Sequence, residues 1–246
     1  MEATFNRLTR SFKKSEFSWE EYFSDKKRGG HRYSTEEFLV KEAKEKLFHL
    51  DGGKTLLDFG CGAGELLIYY LPNYETVVGA DFSRSMLAEA EKKIWNKGYT
   101  NVDLILADDT TVWEKLSLSF DRITTAAVIQ YLTTEQIDFF IHKASGFLNE
   151  GGKIVFFDII DPRLYSLWKL GWFSQNFRIW NILPEAGLGC FKKISATLRN
   201  RPGDIIGNAH SPYMLEKIAS KCGFNMEYVK STYYEYRYHA ILSKLP

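Results

Sequence analysis

The run Thr55-Leu56-Leu57-Asp58-Phe59-Gly60-Cys61-Gly62-Ala63-Gly64-Glu65 leaves few folds open to this chain. Its apolar first half reads as a buried strand ending in an acid, and the glycines after it require a turn. Leu66, Leu67, Ile68, Tyr69, Tyr70 and Leu71 then predict a helix stopped by Pro72. Strand, glycine turn and helix start together offer backbone N–H groups and open space to a nucleotide-like ligand. Gly60, Gly62 and Gly64 stand where a side chain would block that ligand or forbid the backbone angles.

A dinucleotide fingerprint wants G-x-G-x-x-G, whose third glycine allows close helix–strand packing. Here the third glycine comes one residue early, and Glu65 occupies its place. A pyrophosphate would meet that carboxylate at the helix start, and Asp58 adds a second acid to the same pocket. A cationic ligand carrying an amino group suits the site better. The run D-F-G-C-G-A-G resembles the first motif of the class I S-adenosylmethionine-dependent methyltransferases. The resemblance implies that Asp58, Gly60, Cys61, Gly62 and Gly64 surround the amino-acid part of that cofactor.

Strands and helices alternate after this run. An apolar strand is predicted over Thr76–Asp81, and a helix from Ser83 with Met86, Leu87, Ala90, Ile94 and Trp95 on one face, closed by Gly98. Further strands are predicted over 102–107, 120–128 and 153–160, with a helix capped by Thr133-x-x-Gln136 and a turn over 149–152. Upstream, Ser34-Thr35-Glu36-Glu37 reads as a capping box opening a helix that carries Phe38, Leu39, Ala43, Leu47 and Phe48. Downstream, Ser211-Pro212 opens another helix, and 225–233 and 235–242 alternate as a tightly joined hairpin. This rhythm gives an α/β doubly wound sheet. Its antiparallel ending resembles the methyltransferase fold, which implies seven mostly parallel strands in the order 3-2-1-4-5-7-6. The expected organisation is one domain over 1–246: a helical preface (1–53), a cofactor-binding core (54–160), an insert (161–210) and a last helix with its hairpin (211–246).

Asp81 ends the second strand, where a carboxylate can accept both hydroxyls of a ribose. Phe82 would then lie beside the adenine. Ala107-Asp108-Asp109 resembles the family's adenine motif, which implies that Asp108 accepts from the exocyclic amine, with Asp109 and Thr110 beside it. Small Ala126 lets the cofactor approach the fourth strand, and Gln130 orients the acceptor or holds the methionine amine. Catalysis can rest mainly on in-line alignment, because the methyl sulfonium is already electrophilic. A hydroxyl acceptor benefits from a base. Candidates are His210, Asp158, Asp161 and His31, with His210 and Gln130 taken as the catalytic pair. Arg32 could meet the methionine carboxylate.

Lys and Arg total 32 against 31 Asp and Glu, so no global charge selects nucleic acid. The three cysteines, Cys61, Cys190 and Cys222, form no C-x-x-C pair, which disfavours a disulfide framework or a metal site and suits a reduced, cytoplasmic protein. No apolar run is long enough to span a bilayer. The insert 161–210 holds Trp168, Trp172 and Trp180 and seven basic against three acidic residues. An acceptor pocket or lid, a helix over 164–183 touching lipid, and a homodimer surface are all open for it. The expectation is S-adenosylmethionine-dependent methyl transfer to a small-molecule acceptor, at a hydroxyl oxygen, by a monomer or homodimer. The alternatives are a non-catalytic cofactor- or partner-binding protein of the same fold, and an NAD-linked oxidoreductase.

Overall fold

The computed structural model describes residues 34–169 and 207–245. Seven strands form one sheet: β1 (Thr55–Phe59), β2 (Thr76–Asp81), β3 (Val102–Leu106), β4 (Phe120–Ala126), β5 (Leu148–Ile160), β6 (Phe224–Lys230) and β7 (Arg237–Lys244). Their order is β3-β2-β1-β4-β5-β7-β6. The pairs among β1 to β5 are parallel, while β7 runs antiparallel between β5 and β6, as the closing motif requires. Direction along the sheet reverses at β1, which has β2 on one side and β4 on the other. In open α/β sheets such a reversal opens a crevice at the carboxyl ends of the strands.

The described helices are α1 (Glu36–Leu50), α2 (Leu67–Tyr70), α3 (Arg84–Lys97), α4 (Val112–Lys115), α5 (Thr134–Ser145), α6 (Pro162–Lys169) and α7 (Pro212–Lys221). Alternation along the strands sends Leu57, Ile123 and Phe156 to one core, packed with Trp113 of α4, Phe140 of α5 and Leu215 of α7. Leu56, Val77 and Val155 go to the other, with Leu50 of α1, Leu67 of α2 and Ala90 of α3. Each buried Leu or Phe contributes about 1.5–3 kcal/mol relative to exposure, so two cores hold the crevice rigid from both faces.

Several local expectations shift. Thr35, not Ser34, caps α1, its hydroxyl accepting from Phe38 N; Glu37 is spent on Lys41 instead of closing a box. Phe48 and Trp95 are 78% and 83% exposed. Each lies one residue, or about 100°, off the buried stripe of its helix. In α1 the inward places go to Glu42 and Lys46. Pro72 sits inside a 3-10 turn, Leu71–Asn73, that extends α2. The turn over 149–152 is absorbed into β5, whose pairing with β4 jumps from Leu148↔Phe120 to Lys153↔Arg122. The hairpin is wider than expected: Thr232 N donates to Glu45 Oε1 (2.7 Å) and Tyr233 Oη to Lys41 O (3.3 Å), tying the connection to α1.

Candidate functional site

The glycine turn crosses the carboxyl end of β2, where Gly60 N and Cys61 N both donate to Ala80 O at 2.7 and 3.1 Å. Its three glycines answer different needs. A Cβ on Gly60 (φ 77°) would lie 2.2 Å from Val128 Cγ2, and one on Gly64 would lie 3.1 Å from Ala90 Cβ. At Gly62 (φ 56°) nothing stands within 4 Å. Packing within the protein therefore demands the outer two, and only the middle one faces open space.

Acids line that space. Asp81 Oδ2 accepts from Gly62 N and Oδ1 from Ser83 N, both at 2.9 Å, so one carboxylate braces the turn and the start of α3 together. Asp58 is buried at the end of β1, between Gly79 of β2 and Thr124 of β4. Burial, and then the charges of Asp58, Asp81 and Glu65, push the Cys61 thiol well above its usual range. The thiol thus stays protonated and reports a negative local field. Glu65 plays less part than its position implied: Lys93 Nζ lies 3.0 Å from Glu65 Oε1 and also donates to Ala63 O at 2.7 Å. The case against a pyrophosphate therefore rests on Asp58 and Asp81.

Phe82, half-buried, directly follows Asp81. Asp108 Oδ1 accepts from the amides and hydroxyls of both Thr110 and Thr111, at 2.8–3.1 Å. Burial opposes its ionisation, but these donors outweigh it and hold the carboxyl below its usual range. Oδ1 is thereby committed to the turn that starts α4. Asp109 points elsewhere, its Oδ2 accepting from Gln136 Nε2 of α5 at 3.0 Å; burial lifts this carboxyl above its usual range. This bond ties the β3 exit to α5.

The β4 exit forms the other wall. Ala126 ends β4 half-buried, and Ala127 takes the left-handed conformation (φ 56°). Val128 packs on Gly60, and Gln130 follows in a 3-10 turn, Ile129–Tyr131. Gln130 is buried, and its Oε1 has no hydrogen-bond partner among the described residues. Residues 207–210 clamp this turn: Asn208 N donates to Gln130 O at 2.6 Å, and His210 Nε2 lies 3.0 Å from Ile129 O. Burial lowers the His210 pKa, so the ring is neutral with its Nε2 proton on that carbonyl, and only Nδ1 could receive another.

The other candidate bases are engaged. Lys46 Nζ stands 2.8 Å from Asp158 Oδ2; burial opposes the charge of Asp158, but Lys46, His239 and Arg237 outweigh it and bring the carboxyl to about 2. Asp161 accepts from Arg163 at 2.7–3.0 Å, and despite burial its carboxyl sits below the usual range. His31, Arg32, Trp172 and Trp180 lie outside the described residues, as does the insert over 170–206. Sequence reasoning missed Val128, Lys93, Glu42, Lys46, Arg237 and His239. Of these only Glu42 and Lys46 left a signal, standing in the stripe with Leu39, Ala43 and Leu50. Among the described residues no group of three His, Cys, Asp or Glu could hold a metal ion, and no helix is long and apolar enough to cross a membrane.

The residues therefore converge on an acid-lined opening above Gly62, walled by the Gln130 turn. This donor set fits a ligand with hydroxyls and a positive charge. A family model described as a methyltransferase domain matches residues 56–152. A probable (S)-tetrahydroprotoberberine N-methyltransferase of Papaver bracteatum is 32% identical over 117 residues, 45% of this chain and 32% of that protein. A probable S-adenosylmethionine-dependent methyltransferase of Saccharomyces cerevisiae is 27% identical over 190 residues, 71% of this chain and 62% of that one. The chain thus spans less than two thirds of the length of these relatives. Among solved structures, the magnesium protoporphyrin IX methyltransferase of Synechocystis with bound S-adenosylhomocysteine aligns with a TM-score of 0.58 at 17% identity, over 98% of this chain and 94% of that one.

Proposed function

We propose that this chain, whose residues 56–152 match a methyltransferase domain, is a class I S-adenosylmethionine-dependent methyltransferase that transfers a methyl group to a small-molecule acceptor. The observation that carries the proposal is the open space over Gly62, closed by the carboxylate of Asp81 and backed by Asp58. When bound, the cofactor supplies an electrophilic methyl on a sulfonium. Asp81 would accept the ribose hydroxyls, the turn 60–64 would pass beside the amino-acid part, and Phe82 would flank the adenine. Asp58 supplies the negative charge that a cationic ligand needs. Asp108, with Oδ1 held by its threonines, has its second oxygen for the adenine amine. Gln130, whose side-chain carbonyl oxygen lacks a partner among the described residues, is the group proposed to orient the acceptor or the methionine amine. His210 holds the Gln130 turn through Ile129 O, and its Nδ1 is the base proposed for a hydroxyl acceptor.

Asp81→Asn should weaken S-adenosylhomocysteine binding at least about tenfold, the loss of a charge-assisted hydrogen bond, and should also lower the melting temperature, since Asn can accept from only one of Gly62 N and Ser83 N. Calorimetry on the full chain measures this, and unchanged affinity would remove Asp81 from the ribose site.

Transfer to a hydroxyl oxygen is one acceptor reading. An amine nitrogen is the second, and the state of the carboxylates supports it. Asp158 and Asp161 are held in the ionised form by Lys46 and Arg163, and burial works against protonation of His210. A neutral amine attacks with its own lone pair and needs none of them. Side-by-side turnover of matched amines and alcohols separates the readings: an amine acceptor gives a rate that rises with pH until the amine is deprotonated, and His210→Gln leaves its plateau within about threefold.

A further inference from the structure

We infer that Asp158 is a positioning residue for methyl transfer, acting through its left-handed backbone on the β4 exit and thence on the glycine turn; the inference rests on the function proposed above. In β5, Phe156 pairs with Ala240 of β7 and Ile159 with Tyr238, so Phe157 and Asp158 together oppose His239. This is a bulge, and Asp158 occupies it with φ 60°, an angle usually left to glycine. The residue is 1% exposed, and its N–H, its C=O and one carboxylate oxygen are each held by a side chain from another element. Its N–H donates to His239 Nδ1 at 3.1 Å, its C=O accepts from Arg237 Nη1 at 2.8 Å, and its carboxylate meets Lys46 of α1 at 2.8 Å. A carboxylate so enclosed takes no proton from an acceptor. What it fixes is direction.

The preceding carbonyl, Phe157 O, accepts from Ala127 N at 3.1 Å. Ala127 is itself left-handed (φ 56°), so the exit of β4 and the bulge of β5 stand side by side, joined by this bond. Val128 comes next and packs against Gly60, with no room for a Cβ between them. Gln130 follows two residues later. The bulge at Asp158 thus sets where the Gln130 wall rests against the cofactor turn, and it also aims the chain into α6.

Two substitutions in the full chain separate conformation from charge. Asp158→Ala and Asp158→Gly both remove the Lys46 pair and both leave that lysine to Glu42, so loss of the charge pair by itself lowers their melting temperatures alike. Glycine adopts φ near +60° freely, whereas alanine resists it. Hydrogen exchange at the Ala127 and Val128 amides is expected to be about tenfold faster in Asp158→Ala than in Asp158→Gly. S-adenosylhomocysteine should bind about fivefold more weakly to the alanine variant. Equal exchange in the two variants overturns the inference, and so does a split in exchange with equal affinity, because the bulge would then not reach the glycine turn. Should both fail to fold, Asp158→Asn, which tolerates the left-handed region, replaces glycine against the wild-type chain, and faster Ala127 exchange there overturns it. Absence of S-adenosylhomocysteine binding by the wild type defeats the proposed function instead, and the exchange comparison still decides the role of Asp158.

Discussion

At Gly60 and Gly62 the same residue type answers two demands. Gly60→Ala drives a Cβ into Val128 and should cost about 1–3 kcal/mol by overpacking, part of it recovered by Val128→Ala; urea unfolding of the two variants checks this. Gly62→Ala meets no atom and should cost only about 1 kcal/mol of backbone strain, while weakening S-adenosylhomocysteine in calorimetry. Sequence alone left open whether each glycine serves the ligand or its own backbone angles, because spacing tells where a side chain is unwelcome but not whether ligand or protein excludes it. Asp81 was legible for the opposite reason: an acid at a strand end has one place to go. His210 carries a pH signature. Burial depresses its folded-state pKa, so its contribution to stability is complete above the unfolded value of 6.5 and is lost as pH falls through the folded one. His49 is depressed in the same direction, again chiefly by burial. Stability from urea unfolding should therefore decline as pH drops below 6.5, and His210→Gln should flatten part of that decline.

Among the elements, α5 behaves as its sequence predicts. Thr133 Oγ1 accepts from Gln136 N at 3.3 Å and Gln136 Oε1 from Thr133 N at 3.0 Å, closing the capping box. Thr133→Ala should lower stability by about 1 kcal/mol, measured by thermal or urea unfolding. Helix α1 defied the same reasoning. Its inward stripe includes Glu42 and Lys46, which a hydrophobicity pattern assigns to solvent, while Phe48 turns outward. Two carboxylates, Glu42 one turn away and Asp158 across the gap, make the buried lysine tolerable, and a partner more than a hundred positions away leaves no mark on local spacing. Burial opposes the Lys46 charge, yet Asp158 and Glu42 outweigh it and raise its pKa. Lys46→Met should cost about 3–5 kcal/mol, because it strands a buried carboxylate. Adding Asp158→Asn should restore only part, since Glu42 still lies buried beside the missing lysine. Recovery in thermal unfolding would identify the pair as the fastening of α1.

For the molecule as a whole, strand order was readable because alternating periods and a closing hairpin leave few topologies, and each strand start fell within a few residues of its expected place. The acceptor was not readable, because no motif of the sequence names it and the stretch 170–206 lies outside the described residues. The sheet order also bears on how the chain is made. Strand β6 is synthesised before β7, yet β7 lies between it and the rest of the sheet. As the polypeptide leaves the ribosome, β6 has no edge it can join, and the apolar flank of β5 stays bare until β7 arrives to cover it. Folding cannot keep step with translation here. A bare, β-branched strand edge of this kind is what chaperones hold and what aggregates recruit. The interval between the emergence of β5 and that of β7 is therefore when the nascent chain is most exposed to loss.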